Sequence, residues 1–263
     1  FSHIVLDRNV RAGTITGKTA NVQVLAFDLA NFSSGQTVRI RLDSLNELNH
    51  PVSSADTHIY LRKNGEGWEI VSQPSLAEKG PHRNGGFKEA FNHRMVYVYG
   101  TRGKPEENEW AIGKAKYDAE SWYYRGNGAF DIVADYAFNP TDYPDRNIIL
   151  IGNAETNAAW DLLLADCPIS VDRTDIRIGD QHYRGSNIGG YFAWKKPNSD
   201  SNTVGVITGT GIEGMQAATA NQYFAGASGF PDYLFFTVDM LKNGVEAVID
   251  AGFYDNQWQI SNH

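Results

Sequence analysis

The chain has 263 residues, 41% hydrophobic and 21% charged, with a formal net charge of -8; this is ordinary globular usage, and it excludes a disordered chain. The acidic balance and the lack of any Lys/Arg cluster exclude a phosphate-tracking, nucleic-acid-binding surface. No run approaches the roughly 18 apolar residues of a membrane-spanning helix, and no basic start followed by an apolar stretch reads as a signal peptide.

In chain order, Val22 to Phe27 predicts a strand, and Val38, Ile40 and Leu42 alternate with Arg39, Arg41 and Asp43 as a half-buried strand does. Ile59 and Leu61 alternate again. Asn64-Gly65-Glu66-Gly67 then supplies turn chemistry before Trp68-Glu69-Ile70, which predicts a hairpin. Residues 1–75 therefore read as a small all-β, sandwich-like domain. The Gly/Pro-rich run Lys79-Gly80-Pro81-His82-Arg83-Asn84-Gly85-Gly86 places a linker or loop over 76–92.

Beyond it the period changes. Met95 to Tyr99 reads as a buried strand, and Pro105, Glu106 and Glu107 open a helix with Ala111, Ala115, Ala119 and Trp122 on one face. Ile148 to Ile151 and Val204 to Ile207 are continuous apolar runs, as expected of strands buried on both faces, and Tyr233 to Val238 adds another. Helices are predicted over Glu155 to Leu164 and Ile212 to Gln222. Ser170 to Trp194 reads as a hairpin insertion around Gly179-Asp180. Residues 93–263 are thus expected to form a mainly parallel, three-layer α/β domain.

Three predicted strands end alike, in Tyr99-Gly100-Thr101, Ile151-Gly152-Asn153 and Thr208-Gly209-Thr210. In open α/β sheets ligands bind outside the carboxyl ends of strands. The candidate cleft is accordingly Gly100, Thr101, Arg102, Asn153, Thr156, Asn157, Gly209, Thr210 and Gly211; the competing reading is that glycine closes each turn while Thr or Asn caps the next helix. Gly209-Thr210-Gly211-Ile212-Glu213-Gly214 matches G-x-G-x-x-G. The acid a dinucleotide requires at the end of the next strand is missing, so no cofactor is predicted.

No G-x-S-x-G elbow occurs; Gly226-Ala227-Ser228-Gly229-Phe230 fails at its last position. Cys167 is the only cysteine and reads as a small buried residue, no Cys/His spacing resembles a metal site, and His82, His93 and His182 have no Ser or Cys partner nearby in sequence. Asp131 and Asp135 bracket a strand and read as solvated or capping acids.

Several phrases recur in order: Lys79-Gly80-Pro81-His82-Arg83, Val98-Tyr99-Gly100-Thr101-Arg102-Gly103, Trp122 to Gly128, Arg146 to Asn153 through Trp160, Gly205 to Gly211, and Ala251 to Tyr254. Over about residues 75–258 these resemble the C-terminal region of large bacterial secreted proteins of the prolyl oligopeptidase family of serine hydrolases. The resemblance implies a separate α/β-hydrolase domain upstream and a secreted or periplasmic location. It transfers no catalytic residue to a position of this chain. The expected function is a non-catalytic accessory or substrate-binding module of a larger serine hydrolase, whose partner is the upstream hydrolase domain or a peptide or polysaccharide substrate. The second expectation is a stand-alone hydrolase using the strand-end cleft.

Overall fold

The computed structural model describes residues 2–65, 67–226 and 228–260. The chain divides into two compact units, Phe1–Ser75 and Leu76–His263.

Period-two patterning in the first unit produces seven strands: β1 (His3–Asn9), β2 (Thr14–Ala20), β3 (Val24–Asp28), β4 (Thr37–Leu42), β5 (Glu47–Pro51), β6 (His58–Asn64) and β7 (Gly67–Val71). They form two sheets, ordered β1-β2-β4-β5 and β3-β6-β7. Ile15, Val38, Ile40 and Leu42 from one sheet share a core with Leu25, Ile59, Leu61 and Trp68 from the other, so the sheets pack face to face. The predicted hairpin joins β6 to β7, with Asn64 paired to Gly67 and its side chain accepting from the Gly67 amide at 2.9 Å; Glu66 lies outside the described residues.

One carboxylate ties this unit together. Asp43, at φ 58° after β4, accepts from the Thr19 amide (2.5 Å), the Thr19 hydroxyl (2.8 Å), Lys63 Nζ (2.8 Å) and Trp68 Nε1 (3.1 Å). Burial pushes its pKa up, but these donors outweigh burial and hold it well below the ordinary value. The stabilisation is therefore present above the unfolded-state pKa of about 4 and is lost as pH falls from there toward the folded-state value. Urea unfolding followed by unit 1 amide resonances is expected to weaken across that window, and less steeply in Asp43→Asn. An unchanged slope in the variant would refute the assignment.

The second unit is built on β8 (Met95–Tyr99), α1 (Pro105–Gly126), β9 (Asp131–Ala134), β10 (Asn147–Ile151), α2 (Trp160–Leu164), β11 (Ile169–Val171), β12 (Asp175–Ile178), β13 (Gln181–Arg184), β14 (Ile188–Lys195), β15 (Thr203–Gly209), α3 (Gly211–Ala217), β16 (Tyr233–Thr237), α4 (Met240–Asn243) and β17 (Val248–Gly252). Seven of the strands form one sheet, ordered β17-β16-β14-β15-β10-β8-β9. The ladders β9/β8, β8/β10 and β10/β15 are parallel, whereas β15/β14, β14/β16 and β16/β17 are antiparallel. The sheet is thus mixed rather than mainly parallel. The reason is β14, which belongs to the stretch read as a hairpin insertion but threads antiparallel between β15 and β16. The hairpin itself exists: β12 and β13 turn at Gly179-Asp180 and, with β11, make a separate three-stranded sheet.

Successive residues of the large sheet face opposite cores, so both faces are apolar. Tyr97, Ile149, Ile151, Tyr191, Ile207 and Phe236 meet Ala111 and Ala115 of α1 and the short turn Phe87–Phe91. On the other face Val98, Leu150, Phe192 and Val206 meet Trp160 and Leu163 of α2, together with Ile169 and Ile176 of the small sheet. The helices α2 and α3 are shorter than predicted, five and seven residues. Over the whole chain strand outweighs helix, 38% against 21%, and with a mixed seven-stranded sheet and a second sheet among its coverings the second unit is not clearly a three-layer α/β fold.

The 76–92 segment is a strap folded into this unit, not a connector. Phe87, Ala90 and Phe91 are buried in the core, and Arg83 is 1% exposed. Asp232 receives the Gly86 amide (2.5 Å) and Lys79 Nζ, while the Lys79 amide donates to the Asn256 carbonyl (2.8 Å). Glycine and proline here serve a tight path over the fold, and long-range partners fix it. Among the described residues no helix is long and apolar enough to cross a membrane.

Candidate functional site

The nine strand-end residues do converge. β8, β10 and β15 are neighbours, and their carboxyl ends present Gly100, Asn153 and Gly209 side by side. Asn153 and Thr210 are 0% exposed and Asn157 1%. The polar groups, however, are spent on the backbone. Asn157 Nδ2 donates to the carbonyls of Val98 (3.0 Å) and Ile151 (2.9 Å), bridging β8 to β10. Asn153 Nδ2 donates to the Gly209 carbonyl (3.0 Å), bridging β10 to β15, and its Oδ1 accepts the amides of Glu155 and Thr156. Thr156 Oγ1 accepts the Asn153 amide (2.9 Å), and the Thr156 carbonyl accepts the Arg102 amide (3.0 Å). Each of these side chains has found its partner in the protein; the neighbouring Thr208 hydroxyl, also buried, has no hydrogen-bond partner among the described residues.

Two glycines answer to backbone rather than ligand. A Cβ on Gly100 would lie 2.4 Å from the Thr156 carbonyl oxygen, and Gly211, at φ 60°, would place one 2.8 Å from the Ser186 carbonyl oxygen. Thr210 does not cap α3 by its side chain, as the capping reading required; its hydroxyl accepts the Ile188 amide (3.0 Å) and fastens β15 to β14.

Titratable groups surround this cap. Thr101 donates through its hydroxyl (2.5 Å) and amide (3.2 Å) to Asp135, a buried carboxylate that also accepts the Ala158 amide (2.6 Å). Glu107, 3% exposed, accepts the Lys104 amide (2.7 Å) and hydrogen bonds from Arg173 Nε and Nη2, while Arg173 Nη1 reaches Glu155 (3.0 Å). Burial pushes the Glu107 pKa up, but the Arg173 guanidinium and the Lys104 amide hold it below its usual value. Sequence reasoning placed Glu107 only in the first turn of α1. Its partner lies 66 residues away, between β11 and β12, beyond any local signal. The side chain of Arg102 is exposed.

The other candidates for chemistry stand apart. Cys167 is half-buried, and burial around its sulfur pushes the thiol up to about 12, far from a thiolate nucleophile. His82 faces the Leu76 carbonyl and His182 pairs with Asp175 at the exposed hairpin, so neither ring meets a serine hydroxyl in these contacts. Ser228 donates to the carbonyls of Gln222 (2.6 Å) and Ala225 (2.9 Å). Asp131 pairs with Arg146, and Asp135 is the buried acceptor described above. No cluster of three His, Cys, Asp or Glu side chains among the described residues has a metal-holding arrangement. Cavities of about 140, 400 and 540 Å³ lie elsewhere in the unit, and none of the nine strand-end residues lines them. No family model matches the chain, and no curated protein matches it by sequence.

Proposed function

We infer that the chain is a non-catalytic accessory module of a larger secreted serine hydrolase, holding a peptide or polysaccharide substrate or docking beside the hydrolase domain. The observation that carries this reading is the bonding at the strand ends. Asn153, Thr156, Asn157 and Thr210 direct their donors and acceptors at neighbouring main chain, making a rigid cap instead of a set of groups turned toward a reactant. An acyl-transfer site needs the opposite: a serine within reach of a base, and amides left free for an oxyanion.

The resemblance described above supplies the hydrolase context and the secreted location. A fluorophosphonate probe and chromogenic esters test the reading directly. The folded protein is expected to take up no stoichiometric label and to turn over no ester. Labelling of one serine, lost on denaturation, would establish the stand-alone hydrolase in its place.

A further inference from the structure

Two cations of the second unit are buried without a carboxylate beside them. Arg83 is 1% and Lys196 5% exposed. Arg83 Nη1 donates to the carbonyls of Ser199 (2.7 Å) and Asn202 (3.2 Å), Nη2 donates to the Leu76 carbonyl (3.3 Å), and the guanidinium sits 5.2 Å from the Trp258 ring centre. Lys196 Nζ donates to the carbonyls of Tyr143, Pro144 and Arg146. Among the described residues no carboxylate lies within 4.0 Å of either. Carbonyl dipoles solvate a buried cation but do not neutralise it, and charges taken out of water are ordinarily paired.

Arg83 also has donors to spare. Its Nε is buried and has no hydrogen-bond partner among the described residues, and Nη2 carries a second hydrogen beyond the one given to Leu76. Both cations line one cavity of about 400 Å³. Its remaining walls include the Trp194 ring, Leu163 and Pro197, with Asp166 and Asp200 exposed at its rim.

We propose that this cavity binds a small monocarboxylate with an apolar body, its carboxylate toward Arg83 and its body against Trp194 and Leu163. A carboxylate accepts two parallel N–H bonds and supplies a negative charge in direct contact, whereas Asp200 and Asp145 attract Arg83 and Lys196 only from farther off. The lining carries three cations, Arg83, Lys195 and Lys196, against two acids, Asp166 and Asp200, so an anion is favoured and charge alone does not choose among anions. The apolar wall selects against small hydrophilic acids, since most of a ligand's contact in such pockets is apolar. This site is separate from the strand ends and stands independently of the accessory-module reading.

The test is calorimetric titration of the whole chain with 3-phenylpropionate, 3-phenylpropan-1-ol and inorganic phosphate. The carboxylate is expected to bind saturably, the alcohol at least about tenfold more weakly, because it forfeits the charge-assisted bonds, and phosphate not measurably. Arg83→Met is the direct variant but risks the strap, so two surface changes keep the test decisive. Ala165→Phe, at an exposed position lining the cavity, is expected to abolish binding while leaving the melting temperature of the free protein unchanged. Asp200→Asn is expected to tighten binding by about threefold through lost repulsion. Equal affinity for alcohol and carboxylate, binding of phosphate as strong as of the carboxylate, binding retained in Ala165→Phe, or no binding by any probe at millimolar concentration would each overturn the proposal.

Discussion

Asp232→Ala is expected to cost the second unit about 3–5 kcal/mol, the usual penalty for stranding the partner of a buried ion pair. The Asp232 side chain is 1% exposed and serves three partners at once: Lys79 Nζ and the Gly86 amide of the strap, and the Tyr254 amide beyond β17. Removing it leaves the Lys79 ammonium with only the Tyr254 carbonyl (3.2 Å) and strands the Gly86 and Tyr254 amides without their acceptor. Two measurements check this. The urea midpoint falls sharply, and limited proteolysis, which spares residues 79–91 in the parent because they are tied down at both ends, cuts there in the variant. A variant within about 1 kcal/mol of the parent, equally protected, would mean the strap is held by the Phe87–Phe91 packing alone.

The second large effect lies in the same unit, under α1. Lys114 and Asp118, both side chains 0% exposed, pair at 2.6 Å beside an apolar cluster rich in aromatic rings. Tyr223 donates to Asp118 Oδ2 (2.5 Å) and accepts from Lys114 (2.6 Å), and Tyr97 donates to the same Asp118 oxygen (3.1 Å), while Lys114 takes Oδ1. Burial pushes the Asp118 pKa up and the Lys114 pKa down, each against the pull of its partner, so the environment opposes both charges. Asp118→Leu alone is expected to destabilise by about 3–5 kcal/mol, because it leaves a bare ammonium in the core. Lys114→Met with Asp118→Leu is expected to recover most of that loss, since an apolar pair of similar volume removes both desolvation penalties. Chemical denaturation of the parent, both singles and the double closes the cycle; a double variant no better than the worse single would show that the tyrosine hydroxyls depend on the pair.

Four of the seven strands of the first unit were legible by their alternation, whereas β1, exposed along its whole length, and β2 and β5 were not read. Val38, Ile40 and Leu42, or Ile59 and Leu61, announce a core side by alternation alone. In the second unit the buried runs of β8, β10 and β15 were equally plain. The antiparallel neighbour was not, because β14 opens on Gly189-Gly190 and follows a hairpin that is real, so only the long-range ladders reveal that Ile188 to Lys195 runs through the middle of the sheet. The strap failed for a related reason. Its composition is that of a loop, and its anchors, Asp232 and Asn256, are 153 and 177 residues away from Lys79. At the strand ends the sequence brought Gly100, Asn153 and Gly209 to neighbouring strands but not the bonding of Asn153 and Asn157, since the acceptors of their amides are main-chain carbonyls that carry no residue identity.

The distance from strap to anchor also bears on how the protein is made. Lys79 and Asn256 exchange main-chain and side-chain hydrogen bonds, and Trp258 Nε1 reaches back to the Ala77 carbonyl. The first and last segments of the second unit are therefore one seam. During synthesis the strap emerges early and has nothing to close against until the final strand leaves the ribosome, so the unit reaches its native state only after translation of its last residues. Until β16 is free to pair, β14 is held on its β15 side alone, and its other edge is an open strand, a hazard for aggregation.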